Sequence, residues 1–397
     1  MIYIMKLIPT DLIPEIKTRI ESIKKNMKAS GMDAILVAST ANIYYTTLRV
    51  FRGYVYIPVD KDPVWFVIKP DIFEDVDSLV AIRKPEMIPA ELQRLGFPSP
   101  TNVGLEFDSL SYSETERLKK IFPDAGFSNG SYILSLTRMV KTPWEVEHIK
   151  QDGTHQSEVY RRVIHCYKED MTDLELQIEI ERVLRLEGCL GYTRTAGSMM
   201  DINMGSLIAG ENADAPSPFD FSMGGAGVSP ALPVGANGTT LKPGETVMID
   251  MSGAFNGYQS DMTRVWRVGE IPHVAYKAHE CSRSILRACE SIGKPGAKVA
   301  DLYKEAARIA DGEGLSDYFM GHRQKAKFIG HGVGIDLNEL PVITANSPYV
   351  LEENMVLAIE PKFVIPEVGA VGIENTYVVT PDGLKTLTIF PEEIQEL

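Results

Sequence analysis

The sequence predicts two regions of different class: an α/β domain over residues 1–135 and a larger α+β domain over residues 136–397. Three observations carry this. Helix and strand signals alternate through the first third, as in a partly parallel sheet. Two capping-box sequences, at Thr142 and Thr172, then open new helices. Finally, short apolar runs ending in acidic residues recur through the second half.

In the first region Ile16, Ile20, Ile23 and Met27 fall at helical spacing and Gly31 follows where a helix would stop. Asp33 precedes the apolar run Ala34 to Ala38, which reads as a buried strand. Further strands are expected at Tyr54 to Val59, Val64 to Ile68 and Val103 to Phe107, and a helix near Ser113. The Asn129-Gly130 turn marks the boundary near 130. In the second region Thr142-Pro143-Trp144-Glu145 combines a capping Thr, Pro at the first helical position and Glu three residues on. Thr172-Asp173-Leu174-Glu175 repeats the signal, with Gly188 as terminator. Between Gly197 and Gly238 the chain is Gly-, Pro- and Ser-rich around Gly224-Gly225-Ala226-Gly227, the composition of a loop that lines a site. Helices are expected at Val274 to Ile292 and Val299 to Ala310, and strands at Val356 to Ile359 and Gly372 to Val379.

The 397 residues carry 40 Lys and Arg against 54 Asp and Glu, a net charge of −14. That balance argues against nucleic acid or an anionic membrane as partner, because no Lys/Arg cluster offsets it. No apolar run is long enough to span a bilayer. Four cysteines without a C-x-x-C pair point to a reduced, cytoplasmic setting. The N-terminal segment MIYIMKLIPTDLIPEI lacks the basic region and cleavage site of a secretion signal.

Polar residues at strand edges form the sharpest pattern. Asp250 ends the run Val247 to Ile249, and Asp261 follows eleven residues later, beyond Asn256-Gly257-Tyr258. A hairpin through that turn would bring the two carboxylates together. Glu360 ends the run Val356 to Ile359, Glu374 sits within Val371 to Val379, and His331 is flanked by Gly330 and Gly332. Taken singly, each has a plain alternative: a turn former for the aspartates, a partly exposed strand residue for Glu374, a packing residue for the histidine. Taken together, four carboxylates need a cation, since like charges and desolvation make their joint burial prohibitive. Two divalent ions about 3.5 to 4 Å apart would remove that cost, and two Asp, two Glu and one His suit manganese, cobalt, zinc or iron.

Ile249-Asp250-Met251-Ser252-Gly253, Gly257-Tyr258-Gln259-Ser260-Asp261-Met262-Thr263-Arg264, Gly330-His331-Gly332-Val333-Gly334-Ile335-Asp336, Ile359-Glu360-Pro361 and Ile373-Glu374-Asn375-Thr376 resemble the motifs of the M24 metallopeptidases. These are the prolidases, Xaa-Pro aminopeptidases and methionine aminopeptidases, with creatinase as a metal-free relative. Gly31-Met32-Asp33-Ala34 and Asn42-Ile43-Tyr44-Tyr45 are similar to the creatinase-type N-terminal domain. The resemblance implies an α+β pita-bread fold behind a smaller α/β creatinase-type domain. It implies metal ligands Asp250, Asp261, His331, Glu360 and Glu374, with Asp261 and Glu374 bridging two divalent ions. A hydroxide between the ions would be the nucleophile, and Glu360 the catalytic proton carrier. It also implies a homodimer acting on a short peptide or small molecule.

Three positions depart from that pattern. Val234 stands where proline-specific members carry a histidine, Asn338 replaces the next histidine, and Gly372 replaces an arginine. Val234 offers no hydrogen bond, and Asn338 donates one without charge. His322, nine residues before His331, is the candidate to supply the missing catalytic donor, with a surface role as its alternative; Tyr192, Asp214 and Tyr258 are further candidates. The expected activity is an Xaa-Pro dipeptidase or aminopeptidase. The alternative is a non-peptide substrate, as for creatinase or a dimethylsulfoniopropionate lyase. A non-catalytic binding module is disfavoured because all five ligands are present.

Overall fold

A computed structural model describes residues 12–70, 79–197, 200–219 and 223–397. The expectations for the N-terminal segment thus lie largely outside the described residues, as do parts of the Gly-rich stretch. The chain packs as two units, Met1–Arg138 and Met139–Leu397.

The first unit contains α1 (Ile13–Ala29), β1 (Ala34–Val37), α2 (Thr40–Thr47), β2 (Arg52–Pro58), β3 (Val64–Lys69), β4 (Leu79–Ala81), α3 (Ile88–Arg94), β5 (Asn102–Leu105), α4 (Tyr112–Ile121), β6 (Gly126–Asn129) and α5 (Gly130–Met139). Its strands form one mixed sheet in the order β4-β3-β2-β1-β5-β6. The β2–β3 hairpin is antiparallel, β1 and β2 are antiparallel with α2 between them, and the helix-connected pair β5–β6 is parallel. Helix α1 buries the predicted stripe Ile16, Ile20, Ile23 and Met27.

The second unit opens with α6 (Pro143–Tyr160), α7 (Val163–Cys166) and α8 (Asp173–Glu187). Both predicted capping boxes form. Thr142 accepts from Glu145 N–H, Thr172 accepts from Glu175 N–H, and both glutamates reach back to the cap backbone. Gly188 closes α8 at φ +107°, a conformation costly for a residue with a Cβ. Then come β7 (Gly205–Ala209), β8 (Thr246–Gly253), β9 (Ser260–Arg267), α9 (His273–Ile292), α10 (Val299–Gly312) and β10 (Gly330–Gly332). The remaining strands are β11 (Val356–Ile359), β12 (Lys362–Ile365), β13 (Gly369–Gly372), β14 (Asn375–Thr380), β15 (Gly383–Thr386) and β16 (Gln395–Glu396). They make sheets ordered β16-β9-β8-β7 and β10-β11-β14-β15, with β12-β13 as a separate ribbon.

Two details differ from the sequence reading. The Gly-rich stretch contains β7, whose five residues are all buried. And the run Gly372 to Val379 is interrupted at Ile373 and Glu374, where the chain leaves the ribbon with β12 and joins the sheet with β11.

Helix α6 packs against the β8–β9 hairpin and carries an unusual group there. Asp152 is wholly buried without a charged partner among the described residues, and the Phe255 backbone N–H offsets the cost of that burial only in part. Burial pushes its pKa from 3.8 up to about 8. Between those values the unfolded chain has lost a proton that the folded one keeps, so this group's contribution to stability falls as pH rises through that window. Asp152→Asn removes the linkage. Its thermal midpoint, relative to wild type, is expected to climb between about pH 5 and pH 8 in calorimetry, whereas an unchanged difference would show that Asp152 is ionised in the fold.

Candidate metal centre

The β8–β9 hairpin sets the first two carboxylates. Asp250 pairs with Thr263 and Asp261 with Ser252, so the aspartates sit on facing strands two positions apart and share one face. Buried Tyr160, reaching in from α6, clamps the hairpin behind them. Its hydroxyl donates to Met262 O at 2.6 Å and accepts from Met251 N–H at 3.1 Å. The backbone of Asp261 is held from the other sheet, its N–H donating to Thr376 Oγ1 at 2.9 Å while that hydroxyl donates to Asp261 O at 2.8 Å.

Glu360 and Glu374 come from a second, interrupted hairpin. Ile359 pairs with Asn375, and Lys362 with Gly372, so the residues between them on each strand lie outside both ladders. Each gap contains one glutamate. Thr263 Oγ1 donates to Glu374 Oε2 at 2.7 Å, and fully buried Arg264 donates to the Glu374 carbonyl at 2.8 Å and to Asn375 Oδ1 at 2.8 Å. Arg264 thereby ties the two hairpins together. His331 lies on β10, beside β11, where a Cβ at Gly330 would collide with the Ala358 carbonyl. Its Nδ1 lies 3.1 Å from Gly332 O, and its Nε2 lies 3.7 Å from both Asp261 Oδ2 and Glu360 Oε1. A protonated Nδ1 donating to that carbonyl leaves the Nε2 lone pair facing the carboxylates.

All five predicted residues therefore meet. One ligand atom from each of Asp261, His331 and Glu374 lies within 4.8 Å of the others, and the same holds for Asp250, Glu360 and Glu374. Burial, then the charges of Asp250 and Glu360, hold the Asp261 carboxyl well above the usual range. Burial, then Asp261 and Glu360, do the same for Glu374. Oε1 of Glu374 is buried without a hydrogen-bond partner among the described residues. An orphaned carboxylate oxygen beside an imidazole and other carboxylates suits a divalent cation of the manganese, cobalt, zinc or iron type.

One participant was not anticipated. Lys362 is fully buried and its Nζ donates to Asp250 Oδ2 at 2.8 Å, Glu360 Oε2 at 2.7 Å and Glu374 Oε2 at 3.1 Å. Burial alone would lower its pKa, but Asp250, Glu360 and Glu374 outweigh it and hold the ammonium well above its usual range. The available signal was its position two residues after Glu360.

The other sequence candidates are placed differently. His322 is not brought to the cluster: its side chain is 38% exposed and its Nδ1 lies 2.9 Å from Asp214 Oδ2. It does not line the cavity that holds the carboxylates, so its position does not supply the missing donor there. Buried Tyr258 donates to Glu145 at 2.9 Å, a packing role, and Tyr192 carries Arg194 on its ring. Asn338 does line the carboxylate cavity, and its Oδ1 accepts from Ala196 N–H at 2.7 Å, which leaves its amide N–H groups as donors. A wider cavity of about 520 Å³ adjoins through shared His331, Asn338 and Phe328, walled by residues 213–219 and by Met223 and Gly224. The Gly-rich stretch thus lines the site, as its composition predicts.

The family model described as metallopeptidase family M24 matches residues 147–381. This chain belongs to that family. The creatinase/prolidase N-terminal domain matches residues 19–140, so the M24 chain has the pita-bread fold behind a creatinase-type domain, as the motifs predict. An Xaa-Pro dipeptidase of Pyrococcus furiosus is 27% identical over 384 residues, covering 95% of this chain and 99% of the relative. One from Lactobacillus delbrueckii subsp. lactis is 25% identical over 395 residues, covering 95% and 98%. Among solved structures, the prolidase from Pyrococcus horikoshii OT3 superposes with a TM-score of 0.76 at 23% identity, covering 95% of this chain and 99% of that one. The Xaa-Pro dipeptidase from Bacillus anthracis gives 0.78 at 22% identity, covering 96% and 100%. These neighbours establish the fold.

A cation that binds only the folded site stabilises it by mass action, about 2.7 kcal/mol at a hundredfold excess over Kd. Manganese or cobalt is expected to raise the unfolding midpoint of the C-terminal unit in calorimetry. Asp261→Asn and His331→Ala should each abolish the rise, and a wild-type midpoint indifferent to every divalent ion would refute the site.

Proposed function

We propose that this chain is a metal-dependent hydrolase of short peptides, acting on Xaa-Pro dipeptides or on the amino end of slightly longer peptides. The observation that carries the reading is the joining of Asp250, Asp261, His331, Glu360 and Glu374 at the floor of a cavity. The M24 membership and the printed activities of the Pyrococcus and Lactobacillus relatives support it.

A divalent ion bound there would polarise the scissile carbonyl and acidify a water molecule. The protein's own groups supply the rest. Glu360, 3.7 Å from His331 Nε2, is the carboxylate to which this reading gives the proton taken from the attacking water and returned to the leaving amine. Asn338 can donate to the developing oxyanion, a contribution worth on the order of 3 kcal/mol in comparable sites. Lys325 and Lys327 line the adjoining cavity and bring positive charge suited to a peptide's terminal carboxylate. Five ligands are enough for a two-ion centre; Lys362 bears on that count. A homodimer and a reduced, cytoplasmic setting complete the proposal, the latter supported by four free, buried cysteines.

A second reading, hydrolysis or lyase chemistry on a non-peptide small molecule, is favoured by Val234 and Gly372, whose side chains provide no donor. A panel of Ala-Pro, Leu-Pro, Xaa-Pro-Xaa and N-terminal Met peptides with added manganese or cobalt separates the two. Turnover of the Xaa-Pro substrates, lost to background in Asp261→Ala, is the expected result. A metal-loaded protein inert toward the whole panel would overturn the peptidase reading in favour of the small-molecule one.

A further inference from the structure

We propose that Lys362 is a built-in cation that takes the place of one of the two divalent ions, so that the chain holds a single ion, at Asp261, His331, Glu360 and Glu374. The inference rests on the metal-dependent reading above and narrows it.

The geometry of Lys362 is that of a ligated cation. An ammonium has three protons, and Nζ faces three carboxylate oxygens from three different residues at 2.7 to 3.1 Å. Those residues, Asp250, Glu360 and Glu374, are one of the two metal-type groupings in the site. A divalent ion on the same three oxygens would sit where the ammonium is, and two cations cannot share that position. The side chain is fully buried and its stem fixes it there.

The strand opposite lies close against it. Gly372 pairs with Lys362 across the β12–β13 ribbon, and a Cβ at Gly372 would lie 2.5 Å from Pro361 O, 2.8 Å from Lys362 Cα and 3.2 Å from its Cγ. At φ +143° that backbone is also unsuited to an L side chain. The departure at Gly372, opaque in the sequence, thus reflects the close approach of the Pro361–Lys362 backbone, which leaves no space for a side chain opposite Lys362.

The second grouping is left for an ion. Glu374 gives one oxygen, Oε2, to Lys362 and Thr263, and keeps Oε1 buried without a hydrogen-bond partner among the described residues. Glu360 likewise divides its oxygens, Oε2 toward Lys362 and Oε1 toward His331. Each glutamate therefore serves the ammonium with one oxygen and keeps the other off it; Glu360 turns that oxygen toward His331, and Glu374 groups with Asp261 and His331 at ligand distance. Four carboxylates, one ammonium and one divalent ion leave a single negative charge, the same residue that two divalent ions and a bridging hydroxide would leave.

The test is ion stoichiometry on the full chain. Chelator-stripped protein is titrated with manganese by calorimetry, desalted and assayed by atomic emission, with manganese electron paramagnetic resonance reporting isolated against spin-coupled ions. Wild type is expected to hold one isolated ion per chain, Lys362→Ala and Lys362→Gly two coupled ions, and His331→Ala none. Asp250→Asn, which removes a partner of Lys362 but no ligand of the remaining ion, should still hold one. Two ions in wild type, or one in both Lys362 variants with native circular dichroism, would overturn the proposal while leaving the metal-dependent reading intact. No ion in wild type would overturn both. Should the Lys362 variants fail to fold, the wild-type count and the Asp250→Asn count decide.

Discussion

Four carboxylates from two hairpins share one buried volume, and the C-terminal unit is arranged around that electrostatic cost. Burial and the neighbouring carboxylates raise the proton affinity of Asp261 and Glu374. Such a group is stable only if cations are brought to it or protons stay on it. The surrounding structure is committed to the first solution. Arg264 fastens the glutamate strand to the aspartate hairpin, Tyr160 clamps that hairpin from behind, and Lys362 places its charge among the oxygens. The order of the sheets follows from this requirement as much as from apolar packing, because both hairpins must present their acidic edges to the same point.

Much of this was legible in the sequence, and the parts that were share a property: they depend on local period. Helix α1 followed from its four apolar residues, and the starts of α6 and α8 from Thr, Glu and their fixed offset. The meeting of Asp250 and Asp261 followed from a turn between two apolar runs. What escaped depends on distant pairing. Lys362 in an apolar run reads as a strand-edge residue until Asp250, more than a hundred positions away, is seen beside it. The interruption at Ile373 and Glu374 is likewise invisible in a continuous apolar run, because it records a change of partner strand and not a change of composition. His322 shows the converse error: nearness to His331 in the chain says nothing about direction, and Asp214 draws it to the surface.

The fold itself carries many chemistries, so function rests on the cavity and its charges. Here the walls and floor come from different sources. Asp250, Asp261 and His331 stand on paired strands and the two glutamates in the gaps between ladders, whereas the wall comes from irregular segments on either side of β7 and from residues 324–328.

The shared interruption of β11–β12 and β13–β14 imposes a length rule on how this protein can vary. Each gap holds two residues between one ladder and the next, so inserting or deleting one residue there would carry a glutamate away from its partners. Length variation among descendants of this chain is therefore channelled to the Gly-rich wall, which has no such spacing to preserve. The cavity can drift toward new substrates while the acidic set behind it is inherited unchanged.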